Sequence, residues 1–198
     1  MGTMLRDLGY KVVSHWFTAI FVAYVALWAI QYFVIFPLEA QALGKTAALV
    51  SLIYLPHAAR FLAAWMIGPK SIFALLPASL VTYLALYDDA VPLDMADFAA
   101  PVIGAFCAPV ALELMRIVKI NVYPQEVGII SWRTLVFAGF LSSILNSFFQ
   151  TLALDGKFPL EATFDILTRF VVGDVAGLVV VLFLLVVMMK LVRGKSNV

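Results

Sequence analysis

His57 and Arg60 stand three residues apart in the apolar run LPHAARFLAAW, and Asp174 interrupts another, VVGDVAGLVV. A spacing of three places both cations on one face of a helix. Ionisable groups inside a membrane-spanning segment are costly, and they face the bundle interior, where they pair with one another or bind something. Counting about 1.5 Å per residue along each run sets His57, Arg60 and Asp174 at similar depth. That register predicts an Arg60–Asp174 ion pair. Pro56, just ahead, removes a backbone donor and so offers a carbonyl free to bind. Asn146 and Gln150 share a face of another run, which Ser142 and Ser143 continue, and Gln31 lies in the outer half of the first run. His57, Arg60, Asn146, Gln150 and Asp174 are therefore the candidate ligand-binding residues, lining a polar pocket open to the outside. Each has a structural alternative. An Arg–Asp pair can pin two helices together, an interior histidine can be a satisfied core residue, and amides can bridge helices at about 1 kcal/mol or less.

Other chemistry finds no footing. The sequence has no nucleophile motif, paired-carboxylate site or phosphate loop, so no catalytic residue and no enzymatic activity are expected. His57 has no second His or Cys at a ligand spacing, which argues against a metal. His15 is the other of two histidines, so a bis-histidine haem is not expected either, and no cofactor is. The single cysteine, Cys107, rules out an intrachain disulfide and a CxxC motif. With 13 basic and 12 acidic residues, nothing in the charge points to nucleic acid.

These residues need elements that hold them in lipid. Of 198 residues, 64% are hydrophobic and 13% charged, about half the charge usual for a soluble domain. Mean hydropathy is +1.04. Six runs come near the ~20 apolar residues that cross the hydrocarbon: roughly 15–37, 47–68, 71–87, 99–118, 132–154 and 164–191. They are continuously apolar rather than alternating, and lipid offers no partner for open backbone groups, so they are helices. The expected fold is all-α: one integral membrane domain over 1–198, a bundle of six transmembrane helices. The N-terminus lacks the short apolar core and small-residue cleavage site of a secretory signal, so the first run reads as a retained helix.

Orientation follows from basic residues, which favour the cytoplasmic side. With six spans, Arg6, Lys11, Lys70, Arg116, Lys119, Arg133, Lys190, Arg193 and Lys195 fall on one side. Glu39, Asp88, Asp89, Asp94, Asp97, Asp155, Glu161 and Asp165 fall on the other, with Lys45, Lys157 and Arg169. Both termini are then cytoplasmic. The longest inner loop, IVKINVYPQEVGIIS, reads as interfacial, either a plain connector or a docking surface. Glu113 and Arg116 predict a local pair, as do Asp165 and Arg169, although Arg169 is alternatively a guard at the pocket mouth. Small residues mark close helix packing: Gly173 and Gly177 around Asp174, Ala19, Ala23 and Ala26 on the first span, and Ala100, Gly104 and Ala108 on the fourth. Trp16, Trp28, Trp65 and Trp132 sit mostly near span ends, as interfacial anchors do.

Two stretches resemble the type-one membrane-associated sensor domain of bacterial histidine kinases and diguanylate cyclases. LPHAARFLAAWMIGPKSIFALLPASL carries Pro56, Gly68 and Lys70 where that family has a proline, then a small-residue apolar helix ending in glycine and a basic residue. FVVGDVAGLVVVLFLL carries Gly173, Asp174 and Gly177, matching the family's Gly-Asp, glycine and apolar run. The match covers about a quarter of the chain. That family has about eight spans fused to an output domain, and small or apolar residues where His57 and Arg60 stand here. The resemblance implies a stand-alone version in the bacterial inner membrane that passes a signal to a separate partner protein. A second, architectural likeness is to the substrate-capture S-component of energy-coupling-factor transporters, which share six helices, cytoplasmic termini and an alanine stripe. The expected function is a non-enzymatic sensor or signalling accessory that binds a small polar or anionic ligand in the outer-half pocket. The alternatives are a substrate-capture transport subunit and a structural accessory subunit of a larger complex.

Overall fold

The computed structural model describes residues 16–43, 51–86, 95–127, 131–153 and 160–195. Among them every regular element is helical. Helix α1 (Thr18–Ile30) runs through a π-helical stretch (Gln31–Ile35) into α2 (Phe36–Leu43). There follow α3 (Leu55–Ile67), α4 (Ile72–Leu84), α5 (Met95–Ile117), the short α6 (Pro124–Val127), α7 (Trp132–Ala153) and α8 (Leu160–Lys195). The basic and acidic flanking residues Arg6, Lys11, Lys45, Asp88, Asp89, Asp94, Asp155 and Lys157, the side chains of Asp97, Glu161, Asp165 and Lys195, and His15 lie outside what is described.

Five helical stretches are long and apolar enough to cross a membrane: Thr18–Ala42, Leu55–Leu84, Phe98–Ile117, Trp132–Ala153 and Leu167–Arg193. Six were expected, and the difference lies in the second stretch. It holds both α3 and α4, each of 13 residues, separated by a 3-10 turn at Gly68–Ser71. Each is too short to count alone against a ~20-residue span. Gly68 closes α3 at φ +73°, ψ −156°, a conformation open to glycine and strained for other residues.

Helix α3 is the hub. It packs against α1, α5, α7 and α8, and nine of its residues are buried. It starts later than the sequence suggests. Residues 51–54 are non-helical, and Pro56 sits in the first turn, where a missing N–H costs no helical bond. His57 and Arg60 thus lie in the first two turns, not mid-helix, and Pro56 frees no carbonyl within the helix.

Non-helical backbone survives at membrane depth only where protein satisfies it. Here four successive amides are met. The Glu39 carboxylate accepts from the N–H groups of Leu52 (3.0 Å) and Ile53 (3.1 Å), the Gly173 carbonyl from Tyr54 (2.8 Å), and the Gln31 side-chain oxygen from Leu55 (2.9 Å). Gln31 also donates to the Ser51 hydroxyl at 2.9 Å. Gln31 is consequently a backbone clamp, and it is not among the residues around the cavity beside Arg60. Gly173 and Gly177 form the seat for this segment. A Cβ on Gly173 would lie 2.3 Å from the Ser51 carbonyl oxygen, and one on Gly177 2.2 Å from that of Tyr54.

The alanine stripe behaves differently. Among the described residues Ala19, Ala23 and Ala26 are exposed and lie off the packed face of α1. The face of α1 that does pack carries Tyr24, with Ile20, Phe21, Val25 and Leu27 beside it. Size alone does not choose the buried face; the hydroxyl of Tyr24 has a partner inside.

At the end of the bundle away from Tyr54, the connection after α5 is docked rather than loose. The Trp65 indole donates to the Val122 carbonyl (2.6 Å), and Gln125 donates to that of Met66 (2.6 Å). Glu113 accepts from Arg116 at 3.4 Å, the local pair the spacing predicts, and from the Tyr123 hydroxyl at 2.8 Å. Burial, and then the Glu113 carboxylate, push the Tyr123 phenol above its ordinary range.

Candidate functional site

Asp174 is fully buried on α8, and its partner is His57. The His57 Nδ1 lies 3.2 Å from Asp174 Oδ2. The same oxygen accepts from the Ser143 hydroxyl at 3.1 Å and the Asn146 amide nitrogen at 3.2 Å, both on α7. The other imidazole nitrogen, Nε2, faces the Gly139 carbonyl at 3.3 Å. The sequence paired Asp174 with Arg60 instead. Because the non-helical segment ahead of α3 lies on Gly173 and Gly177 and the helix begins at Leu55, His57, not Arg60, comes over the carboxylate.

Arg60 lies one turn further along α3 and is only 7% exposed. Its guanidinium rests on Gly104 of α5, where an added Cβ would stand 2.7 Å from Cζ. One nitrogen donates to the Tyr24 hydroxyl at 2.8 Å. Its Cζ lies 5.4 Å from the Tyr24 ring centre and 5.7 Å from that of Tyr54, within cation–π range. Among the described residues no carboxylate reaches it at ion-pair distance, and its Nε has no partner. Two aromatic faces and one phenol are weak compensation for a desolvated cation.

The guanidinium faces a cavity of about 280 Å³. Tyr24 and Trp28 of α1, Tyr54, Ser79 and Thr82 of α4, Asn146 and Gln150 of α7 and Phe170 of α8 surround it. Tyr54 and Arg60, at the start of the α3 segment, meet Thr82 and Leu86, at the end of the α4 segment, around this one space. Two further buried polar atoms in its wall have no partner, the Ser79 hydroxyl and the Asn146 carbonyl oxygen. Buried polar atoms in folded proteins are almost always satisfied. These three atoms belong to residues that line the cavity, and each is itself covered by neighbouring protein.

Of the five sequence candidates, Arg60, Asn146 and Gln150 line the cavity, and Gln150 also ties α7 to the Ala100 carbonyl of α5 at 2.9 Å. His57 and Asp174 stand behind them, joined to the cavity through Asn146. Ser142 is buried and lies outside the lining. Sequence reasoning missed Tyr24, Tyr54, Ser79 and Thr82. Aromatic residues and hydroxyls inside apolar runs look like ordinary span residues until a cation is placed beside them. The arrangement does not make a nucleophile. Ser143 donates to Asp174 rather than to His57, and the far nitrogen of His57 meets a backbone carbonyl, whereas a serine nucleophile needs its base on the hydroxyl. Among the described residues no His, Cys, Asp and Glu cluster could hold a metal.

Comparison with family models, curated proteins and solved structures finds no match to this chain.

Proposed function

We propose that this chain is a six-span protein of a bacterial cytoplasmic membrane that binds a small anionic molecule beside Arg60 and signals its occupancy to a partner protein. The observation that carries the reading is a buried guanidinium that meets no carboxylate at ion-pair distance among the described residues and lines a largely apolar cavity. A scaffold role for Arg60 would need a counter-charge from the chain itself, and Asp174 is engaged by His57. Arginine in a dry site matches a carboxylate or phosphate in bidentate fashion. The volume lies just under the ~300–1,000 Å³ of pockets for drug-sized ligands, which suits a metabolite-sized molecule. The absence of a nucleophile–base contact favours binding over catalysis. The sensor role itself rests on the resemblance of the 55–80 and 170–185 stretches to the sensor-domain family.

Six spans are supported by lengths. The 13 residues of α3 cover roughly 20 Å, and the non-helical residues 51–54 continue from its start. The Gly68–Ser71 turn and α4 together cover roughly 27 Å. Both approach a hydrocarbon core of about 30 Å. Lys70, Arg116, Lys119, Arg133, Lys190 and Arg193 then share the cytoplasmic end, and the cavity opens at the other.

Thermal unfolding in lipid nanodiscs tests the reading. Acetate, benzoate and inorganic phosphate are titrated against the wild-type chain and Arg60→Met. A ligand at 100 times its Kd stabilises by about 2.7 kcal/mol, a rise of several degrees in Tm. At least one anion is expected to give that rise in the wild type and none in Arg60→Met. Equal shifts in both proteins, or none in the wild type, overturn the proposal. Uptake of the bound anion into vesicles, dependent on an ATPase module, would move the chain to the transport class.

A further inference from the structure

Both ring nitrogens of His57 face oxygen. Nδ1 meets Asp174 Oδ2 at 3.2 Å and Nε2 meets the Gly139 carbonyl at 3.3 Å. A neutral imidazole has one N–H and one lone pair. In this setting the lone pair would point at an oxygen with no hydrogen between them, at 1% side-chain exposure on both residues. With Asp174 ionised, the geometry calls for a hydrogen on each nitrogen. Asp174 Oδ2 gathers three donors, from His57, Ser143 and Asn146, while Oδ1 is buried without a partner among the described residues. The dyad is an imidazolium–carboxylate pair holding one exchangeable proton at zero net charge.

That proton decides the charge of the whole cluster. The groups around His57 are Asp174 on α8, Arg60 on its own helix, Tyr24 on α1, Tyr54 ahead of α3 and the Cys107 thiol on α5. Helix α7 presents only the Gly139 carbonyl, Ser143 and Asn146, none of which titrates. Tyrosines and thiols ordinarily titrate above the window of an imidazole. Between pH 5 and 8 the cluster therefore has two states. With the proton its net charge is +1, all of it Arg60. Without the proton Asp174 offsets Arg60, and the net charge is zero.

We infer that the protein binds its anion together with a proton: the His57–Asp174 dyad takes one proton from bulk water as an anion settles against Arg60. The inference rests on the cavity being an anion site. An anion completes the charge of the protonated cluster and opposes that of the unprotonated one. Asn146 joins the two sites, since its amide nitrogen donates to Asp174 and the residue lines the cavity beside Arg60. Linkage is reciprocal. Whatever factor the proton adds to anion affinity, the anion adds to proton affinity.

The chain has two histidines, so His15→Gln leaves His57 alone to report. Nitrogen-15 NMR of histidine-labelled His15→Gln protein in nanodiscs reads each ring nitrogen directly. At pH 6 both are expected to carry hydrogen. Adding Arg60→Met removes the neighbouring cation, and the dyad should then hold its proton through at least one further pH unit, a tenfold gain in proton affinity. Saturating benzoate should do the same in the Arg60 protein and nothing in Arg60→Met. If Arg60→Met fails to fold, the benzoate titration of the Arg60 protein carries the test alone. A bare Nε2 across pH 6–8 overturns the inference. So does benzoate affinity, measured by calorimetry, that is equal at pH 6 and pH 8; in that outcome the anion site stands and only the coupling falls. If the Arg60→Met shift appears while acetate, benzoate and inorganic phosphate all fail to bind, the anion site falls and the coupling falls with it.

Discussion

Gly104 sets where the Arg60 charge can lie. A methyl group there would stand 2.7 Å from Cζ and 2.8 Å from the nearest guanidinium nitrogen. The atoms it meets are the far end of a flexible side chain, so the fold absorbs the change by moving the guanidinium. Gly104→Ala is thus expected to unfold within a few degrees of wild type yet to bind the stabilising anion at least tenfold more weakly. A variant that loses stability and keeps affinity would refute that placement. The residues concerned were legible in the sequence as types: His57, Arg60, Asn146, Gln150 and Asp174 all fall in or against the cluster. Their pairing was not legible. Residues 57 and 60 differ by about 300° of helix rotation, or 60° on the helical wheel, and which of them meets Asp174 depends on where α3 begins. Pro56 and four amides held by Glu39, Gln31 and Gly173 fix that start. No pattern within α3 reveals partners 14, 24 and more than 100 residues away.

At the scale of elements, the Gly173–Gly177 pair shows how a familiar spacing acquires a different use. GxxxG is ordinarily a seam between two helices. Here the close approach is to the carbonyls of Ser51 and Tyr54 in a non-helical segment. Backbone cannot swing aside as a side chain can. Gly177→Ala, 2.2 Å from the Tyr54 carbonyl oxygen, is expected to cost about 1–3 kcal/mol, the range for overpacking. It should also weaken anion binding, because the same segment carries Tyr54 and leads into His57 and Arg60. Gly139→Ala provides the control. Its added methyl meets the tip of Leu178 at 2.1 Å, a side chain that can change rotamer, so its Tm should fall less. Equal losses in the two variants would mean that the 51–54 segment is not the constraint described. Two of the three small-residue stripes, read alike in the sequence, separate on the same ground. Glycines at 173 and 177 admit a backbone, whereas Ala19 and Ala23 lie exposed because the packed face of α1 is the one whose Tyr24 reaches Arg60.

For the whole molecule, the number of crossings fixes which solution the cavity opens to, and the stretch 55–84 decides that number. If it crosses once, the chain has five spans, and Leu86 and Lys119 exchange sides relative to a six-span chain. If Gly68–Ser71 turns the chain back, Leu86 faces outward while Lys70 and Lys119 face the cytoplasm. The geometry around the cavity favours the reversal, since Tyr54 and Arg60 at one end of the stretch share a wall with Thr82 and Leu86 at the other. In a straight helix of 30 residues those ends would lie about 40 Å apart. Single cysteines settle it in a Cys107→Ala background, since Cys107 is the one native thiol. Lys70→Cys, Leu86→Cys and Lys119→Cys replace exposed residues. With a membrane-impermeant maleimide on intact cells, Leu86→Cys is expected to label, and the other two to label only after permeabilisation. Labelling of Lys119→Cys from outside would remove the six-span reading, turn the cavity toward the cytoplasm, and make the proton and anion it binds those of the cell interior.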